Sequence, residues 1–392
     1  MWPGQGKLSA FWRFFYLDVL IFGVLMDRRG LGFLSLVLTL FVGAALSACQ
    51  GGGSPAATAS AATKSLPPSG PDRMTFSAPL AWGGEARCTG GDCKLILVEH
   101  EANKLVLHQF KGRQIAELDR QPLAYHPDSA KWLTDQWVVA AVERGQTLDF
   151  FSLNAGRLTA HAQVKVDFAP RDVLVLDSNA SGFTLLATPY SGANVSVVKW
   201  PVGAKQGNAT SVRWCEAPWH PALVERAPNG RGKGVVAACL DDKRLLYVDA
   251  KNWVGAPAEL ARFDVVARQA RPTASGKWVY VALELGPKNA RVNMDSGEVQ
   301  YLESRAEGAV SVAPLADDLV IWGGSNSLYI QKFDDAGKVL EERYLRTSGF
   351  PTEMQLIDLD GDGERDLLIL NSAGDKADVY YGPLWDRSLE KL

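Results

Sequence analysis

Residues 358–366, Asp-Leu-Asp-Gly-Asp-Gly-Glu-Arg-Asp, place carboxylates at relative positions 1, 3, 5 and 9, with Gly363 at position 6. This spacing lets a short loop surround a hard cation with oxygen atoms, and Ca²⁺ is the natural occupant. The predicted ligands are the side chains of Asp358, Asp360, Asp362 and Asp366 and the backbone carbonyl of Glu364. A metal-free polar turn is the alternative, but without a cation these carboxylates would repel one another.

The segments on either side of this loop distinguish an EF-hand, which has flanking helices, from a calcium loop between two strands. An EF-hand requires a helix on each side, whereas Met354–Ile357 and Leu367–Leu370 are short, apolar and strand-like. Ile369 also stands where an EF-hand has its final Glu. The loop between two strands resembles the FG-GAP or VCBS type of β-propeller repeat, over about forty residues. That resemblance implies a calcium loop between the first two strands of a propeller blade.

A short apolar strand recurs along the chain and supports a repeated β fold. Its copies are Lys94–Val98, Gln136–Val142, Gly182–Thr188, Gly234–Leu240, Trp278–Leu285, Asp318–Trp322 and Asp366–Leu370. A second, more alternating strand follows each copy and ends at a glycine turn, at intervals of 40 to 52 residues: Gly112, Gly156, Gly203, Gly255, Gly297, Gly337 and Gly382. Such a period is typical of propellers with four strands per blade.

The predicted fold is therefore all-β: a β-propeller of seven blades, each a four-stranded antiparallel sheet, spanning residues 73–392. Counts of six or eight blades also fit the pattern. The last blade is short after Gly382, so a segment around Met74–Ala78 is predicted to supply its outer strand and close the ring.

Residues 1–48 are predicted to be a signal region, with Met26 as the candidate true start. A short basic opening and the apolar run Leu31–Leu40 lead to Leu46-Ser47-Ala48-Cys49. These last four residues resemble a bacterial lipobox, which implies that Cys49 is lipidated after cleavage. A transmembrane anchor or an ordinary secretion signal is the alternative.

Residues 49–72 are predicted to be a flexible tether, since Gly, Ser, Pro, Ala and Thr dominate them. Its roughly twenty residues would span about 25 Å, which is enough to hold a domain clear of lipid headgroups. Gln50 follows the cysteine, and the absence of Asp there favours the outer membrane, with the domain facing the periplasm or the cell surface.

The four cysteines other than Cys49 test the strand assignment independently. Cys88 and Cys93 bracket a predicted hairpin turn, and Cys215 and Cys239 would lie side by side on paired strands. Two local disulfides are predicted, as expected in an exported domain. A four-cysteine zinc site is the alternative, although neither pair has Cys-x-x-Cys spacing.

Composition and motifs argue against several functions. Lys and Arg total 41 against 44 Asp and Glu, and no basic stripe is present, so nucleic-acid binding is not expected. The five histidines form no metal or catalytic motif, and neither a nucleophile elbow nor a phosphate loop is found: His100, His108, His126, His161 and His220.

Polar loops between the second and third strands are the predicted recognition surface, because propeller function usually lies on loops that the ring holds rigid. They contain Glu99–Glu101, Glu143–Arg144, Tyr190–Ser191, Asp241–Lys243 and Gly286–Lys288. The predicted function is a lipid-anchored, non-enzymatic scaffold that binds an envelope protein or polymer. The alternatives are a propeller hydrolase or lyase, and a carbohydrate-binding adhesin with Trp or Tyr exposed in a groove.

Overall fold

The computed structural model describes residues 72–385, except residues 90, 229–231, 305 and 307. The predicted signal region, Cys49 and the tether up to residue 71 lie outside the described residues. Within the described part, no helix has both the length and the apolar character needed to cross a membrane.

Seven antiparallel sheets of four strands each form the blades, so the predicted seven-bladed propeller is confirmed. The strands of the first four blades are β2 (Ala81–Thr89), β3 (Asp92–Glu99), β4 (Lys104–Lys111), β5 (Gln114–Pro122); β6 (Pro127–Thr134), β7 (Trp137–Val142), β8 (Thr147–Asn154), β9 (Arg157–Lys165); β10 (Pro170–Asn179), β11 (Gly182–Pro189), β12 (Asn194–Pro201), β13 (Asn208–Arg213); and β14 (Pro218–Val224), β15 (Gly234–Cys239), β16 (Arg244–Asp249), β17 (Ala258–Arg262).

The strands of the remaining blades are β18 (Val266–Pro272), β19 (Trp278–Glu284), β20 (Lys288–Asn293), β21 (Val299–Glu303); β22 (Ser311–Pro314), β23 (Leu319–Gly323), β24 (Ser327–Phe333), β25 (Val339–Arg346); and β26 (Pro351–Ile357), β27 (Asp366–Asn371), β28 (Lys376–Tyr380) with the N-terminal β1 (Arg73–Ser77). Every predicted copy of the recurring apolar strand coincides with the second strand of a blade.

The first strand of each blade is innermost and contacts the first strands of both neighbouring blades. The apolar core is divided among the seams, with one cluster of buried side chains between each pair of adjacent blades. A second strand is therefore covered on both faces, and all six residues of β15 are buried. This double burial explains the continuous apolar runs in the sequence.

The N-terminal strand closes the ring, as predicted. β1 pairs antiparallel with β28 from Arg73 opposite Tyr380 to Ser77 opposite Lys376. Phe76 of β1 is buried in the seam between the last and first blades. Residues far apart in sequence thus complete one sheet. β1 serves as the fourth strand of the last blade, so β28 has a pairing partner on its outer side.

Both predicted disulfides are present. Cys88 and Cys93 face each other across the hairpin of β2 and β3, with their Cα atoms 4.0 Å apart. Cys215 and Cys239 join the entry of the fourth blade to its second strand, with their Cα atoms 5.9 Å apart. Each disulfide therefore lies within a single blade.

His108 should make the stability of the ring depend on pH. Burial against Phe76 lowers the pKa of its imidazole from 6.5 to about 4, so the native state holds the ring neutral. As the pH falls, the imidazole of the unfolded chain is protonated before that of the native state. The free energy of unfolding therefore decreases as the pH falls from about 6.5 towards about 4. We expect His108→Leu to reduce the loss of unfolding free energy between pH 7 and pH 5 by about 2 kcal/mol.

Urea unfolding at the two pH values measures this effect, with His161→Leu as the matched control. The ring of His161 bonds the Gly203 carbonyl at the surface, so this variant removes an imidazole that is not buried in the core. If His108→Leu retained the full pH dependence of the wild type, the buried neutral imidazole would not be its source.

Candidate functional site

The loop from Asp358 to Asp366 joins β26 and β27, as the sequence predicted. Asp358 accepts hydrogen bonds from the backbone N–H groups of Gly361 at 2.7 Å and Gly363 at 3.0 Å. Gly363 has a φ of 91°, a conformation that a residue with a side chain rarely adopts. The backbone itself therefore turns the loop around its first carboxylate.

The structure gathers three of the predicted calcium ligands. One carboxylate oxygen from each of Asp358, Asp360 and Asp362 lies within 4.8 Å of the other two. Glu364 is exposed, and its backbone N–H donates to Asp362 at 2.8 Å. A group of hard oxygen atoms on a tight loop is the donor set that Ca²⁺ prefers, so the residues fit the ion.

Asp366 has a structural task in this loop. Its side chain is fully buried, and its two oxygens accept hydrogen bonds from the backbone N–H groups of Leu359 at 2.7 Å and Gly382 at 2.9 Å. Burial raises the pKa of Asp366, and the carboxylates of Asp360 and Asp362 raise it further. A cation at the loop would relieve that repulsion, while Asp366 fastens the loop to the end of the last blade.

The loop also bridges the seam at which the ring closes. Arg113 of the first blade donates to Asp360 at 2.9 Å and to Asp72 at 2.7 Å. The carbonyl oxygen of Asp358 lies 3.1 Å from the sulfur of Cys88. The first disulfide and the predicted calcium loop, which the sequence presents separately, are therefore neighbours across one seam.

The opposite face of the ring contains the predicted polar loops. The His100 N–H donates to the carbonyl of Leu80, so the loop between β3 and β4 lies beside the start of the first strand. We call this end of the ring the mouth face. The predicted calcium loop follows the end of a first strand and so lies on the opposite face.

Four side chains at the starts of first strands form what we call the mouth cluster: Asp128, Arg171, Trp219 and Arg268. The guanidinium carbons of Arg171 and Arg268 lie 4.1 Å and 4.5 Å from the centre of a Trp219 ring. These four side chains come from four consecutive blades and are all buried. Cation–π contact with Trp219 therefore holds both arginines near the axis.

Carboxylates from both strands and loops partner the cluster. Asp128 lies 3.7 Å from Arg171 and 3.1 Å from the Nδ1 atom of His100. Glu284 lies 3.3 Å from Arg268. Burial and the nearby Asp128 raise the pKa of Glu143. The predicted loops containing His100 and Glu143 thus lie beside Asp128, whereas Asp241–Lys243 and Gly286–Lys288 contribute no side chain to the cluster.

A cavity of about 380 Å³ is lined by residues of the innermost strands, and Asp172 and His220 in its lining directly follow the cluster residues Arg171 and Trp219. Its charged and titratable lining residues are Glu85, Lys131, Asp172, His220, Arg271 and Glu353. Burial lowers the pKa of His220 to about 4, so its imidazole is neutral at neutral pH. Burial alone would raise the pKa of Glu353, but Arg271 and Lys131 outweigh it and hold that pKa below its usual value.

The mouth cluster and the channel residues are the part of the site that sequence reasoning missed. Six of the seven blades contribute one or two of them along their first strands, so no motif connects them along the chain. One sequence pattern could have indicated part of the cluster. A proline begins several first strands, and a charged or aromatic residue follows it directly, as in Pro127-Asp128, Pro170-Arg171 and Pro218-Trp219.

Comparisons with known proteins identify the fold. No family model and no curated protein matches the chain. The chain is similar to the solved structure of virginiamycin B lyase from Staphylococcus aureus, with 11% identity and a TM-score of 0.57 over 79% of this chain and 98% of that one. It is similar to Saccharomyces cerevisiae Sqt1, with 8% identity and a TM-score of 0.60 over 79% and 98% of the two chains.

A third similar structure is a putative 6-phosphogluconolactonase from Bacteroides uniformis, with 16% identity and a TM-score of 0.51 over 68% of this chain and 84% of that one. At these identities the likeness extends to the propeller fold alone.

Proposed function

We propose that the chain is a membrane-anchored binding module whose calcium-stabilised propeller docks an envelope protein or polymer at its mouth face. The composition of the mouth cluster carries this proposal. Arg171, Arg268 and Asp128 are charged, yet they are buried at the axis, where well-packed apolar residues would stabilise the ring as well or better. Buried charges that the packing of the ring does not require are characteristic of functional sites.

The two ends of the ring have separate roles in this proposal. Ca²⁺ held by the loop from Asp358 to Asp366 would stabilise the closing seam on one face and take no part in recognition. The lipid on Cys49 and the tether that follows it would keep the domain at the outer membrane. The loops around the mouth would then contact the partner, and the buried charges and Trp219 beneath them would hold those loops in place.

Photocrosslinking in the native envelope tests the proposal. A photoreactive residue placed at Ser191, in the exposed loop between β11 and β12, should form one reproducible adduct. The same residue at Ala180 is the matched control, because it lies in the same blade in the exposed turn between β10 and β11, on the opposite face. Cys49→Ser should move the chain out of the membrane fraction and abolish the adduct at Ser191.

Equal labelling from Ser191 and Ala180, or none from Ser191, would contradict docking at the mouth face. Membrane fractionation that is unchanged by Cys49→Ser would instead contradict the lipid anchor and leave the docking result to be judged separately.

A hydrolase or lyase is the second candidate, and the channel cavity favours it. His220 Nδ1 lies 3.6 Å from Asp172 and 3.9 Å from Glu353, so a neutral imidazole sits between two carboxylates in a space large enough for a small substrate. An enzyme of this kind would yield turnover that is lost in His220→Gln. The adhesin alternative has less support among the described residues, since no tryptophan is exposed and the exposed Tyr125, Tyr301 and Tyr344 do not line the channel cavity.

A further inference from the structure

His100, Glu101 and His126 meet at the rim of the mouth, although they belong to two blades. His100 and Glu101 occupy the loop between β3 and β4, and His126 directly precedes β6. One ligand atom from each of the three side chains lies within 4.8 Å of the other two. The centres of the two imidazole rings are 4.4 Å apart.

Hydrogen bonds of the backbone fix the two loops to each other. The His126 N–H donates to the side-chain oxygen of Asn103 at 2.8 Å, and Asn103 N–H donates to the carbonyl of His100 at 3.3 Å. The carbonyl of His126 in turn accepts from the N–H of Glu143 at 2.9 Å. The three side chains are therefore held near one another before any ligand arrives.

Each histidine has an oxygen partner behind it. His100 Nδ1 lies 3.0 Å from the carbonyl oxygen of Pro127 and 3.1 Å from the carboxylate of Asp128. These acceptors place the proton on Nδ1 and leave a lone pair on Nε2. His126 Nδ1 lies 3.6 Å from the carboxylate of Glu143. Carboxylates and carbonyls in this position orient metal-binding histidines and make them more basic.

We propose that His100, Glu101 and His126 form a binding site for a divalent transition metal of the Zn²⁺ class. Two imidazoles and one carboxylate are the ligands of a three-coordinate protein site that keeps a further position open. Glu101 is exposed, so the site is accessible from solvent. The all-oxygen loop on the opposite face selects a harder cation, and the two sites therefore take different metals.

Titration of the full chain with Zn²⁺ in excess Ca²⁺ tests the proposal, because Ca²⁺ occupies the oxygen loop. We expect one equivalent to bind, and Co²⁺ in its place to give the strong visible absorption of a low-coordinate site with nitrogen ligands. Glu101→Gln, which changes an exposed side chain, should weaken binding by at least about 10-fold. Asp128→Asn should weaken it by about 10- to 100-fold through the orientation of His100.

His126→Gln should abolish the Co²⁺ spectrum, and His161→Gln is the control for a histidine outside the cluster. Circular dichroism of each variant separates loss of metal from loss of fold. The proposal is overturned if the wild type shows no saturable Zn²⁺ binding in excess Ca²⁺, or if both Glu101→Gln and His126→Gln bind as the wild type does. Neither result would bear on docking at the mouth face, which the crosslinking experiment tests without added transition metal.

Discussion

Asp378→Ala should destabilise the propeller by about 3 to 5 kcal/mol. Asp378 is fully buried in β28, the strand against which the N-terminal strand closes the ring. Its carboxylate accepts hydrogen bonds from Arg73 at 2.6 Å, from the Ser348 backbone N–H and hydroxyl, both at 2.7 Å, and from Asn371 at 3.1 Å. Alanine would remove the acceptor that these donors share, and the fully buried Asn371 could not replace its lost hydrogen bond with one to water.

Chemical denaturation of the purified chain measures the loss, and Asp295→Ala is the matched control. Asp295 also pairs with an arginine, Arg226 at 3.1 Å, but its side chain is 59% exposed. Breaking an exposed pair of this kind should change the unfolding free energy by less than about 1 kcal/mol. If the two variants lost equal stability, Asp378 would not be the centre of the closing seam.

Calcium should stabilise the wild type by about 3 kcal/mol when free Ca²⁺ exceeds the dissociation constant about 100-fold. Asp360→Ala should remove this gain, because it deletes one of the three carboxylates that the structure gathers. Thermal unfolding with Ca²⁺, after chelation, and after Ca²⁺ is restored measures the effect. Proteolysis of the chelated protein should become faster within residues 348–385.

Two comparisons isolate the ion from other effects of the substitution. Asp360→Ala also breaks the pair with Arg113, whose side chain is 47% exposed, so in chelator the variant should differ from the wild type by about 1 kcal/mol or less. Asp375→Ala removes an exposed carboxylate from the same blade and should keep the full response to Ca²⁺. A wild type that does not respond to Ca²⁺ would rule out the calcium site.

The fold was predictable because each blade repeats a local pattern. Second strands such as β15 are buried on both faces, and such strands consist of a continuous run of apolar residues. Too few residues follow Gly382 to form the outer strand of the last blade, so another segment had to supply it, and β1 does so. Cys215 and Cys239 could be paired because antiparallel neighbours of known order must lie close together.

The mouth was not predictable, because its contacts depend on how blades are rotated relative to one another. His100 and His126 are separated by an entire strand pair in sequence, and their rings meet because β5 returns beside β4 and the His126 N–H then bonds the side chain of Asn103. Arg171 and Arg268 meet through Trp219, which belongs to the blade between theirs. The spacing of these residues along the chain does not indicate such contacts.

Asp366 shows a different limit of the sequence pattern. Its position in the loop predicts a calcium ligand, yet both of its oxygens accept backbone hydrogen bonds that anchor the loop. A sequence motif gives only the residue type at a position. It does not show whether a buried carboxylate accepts backbone hydrogen bonds, binds an ion, or does both. The ligand set of Asp358, Asp360, Asp362, Glu364 and Asp366 therefore remains a prediction that only metal binding can test.

The measurement that most directly tests calcium control of the closing seam is amide hydrogen exchange with Ca²⁺ and after chelation. If the ion holds that seam, chelation will lower protection in residues 358–366 and in β1, β2 and β28, while the distant strands β14 and β15 stay unchanged. Protection that is unaltered by chelation, or that falls equally in β14 and β15, would contradict a calcium site that holds the last blade to the first.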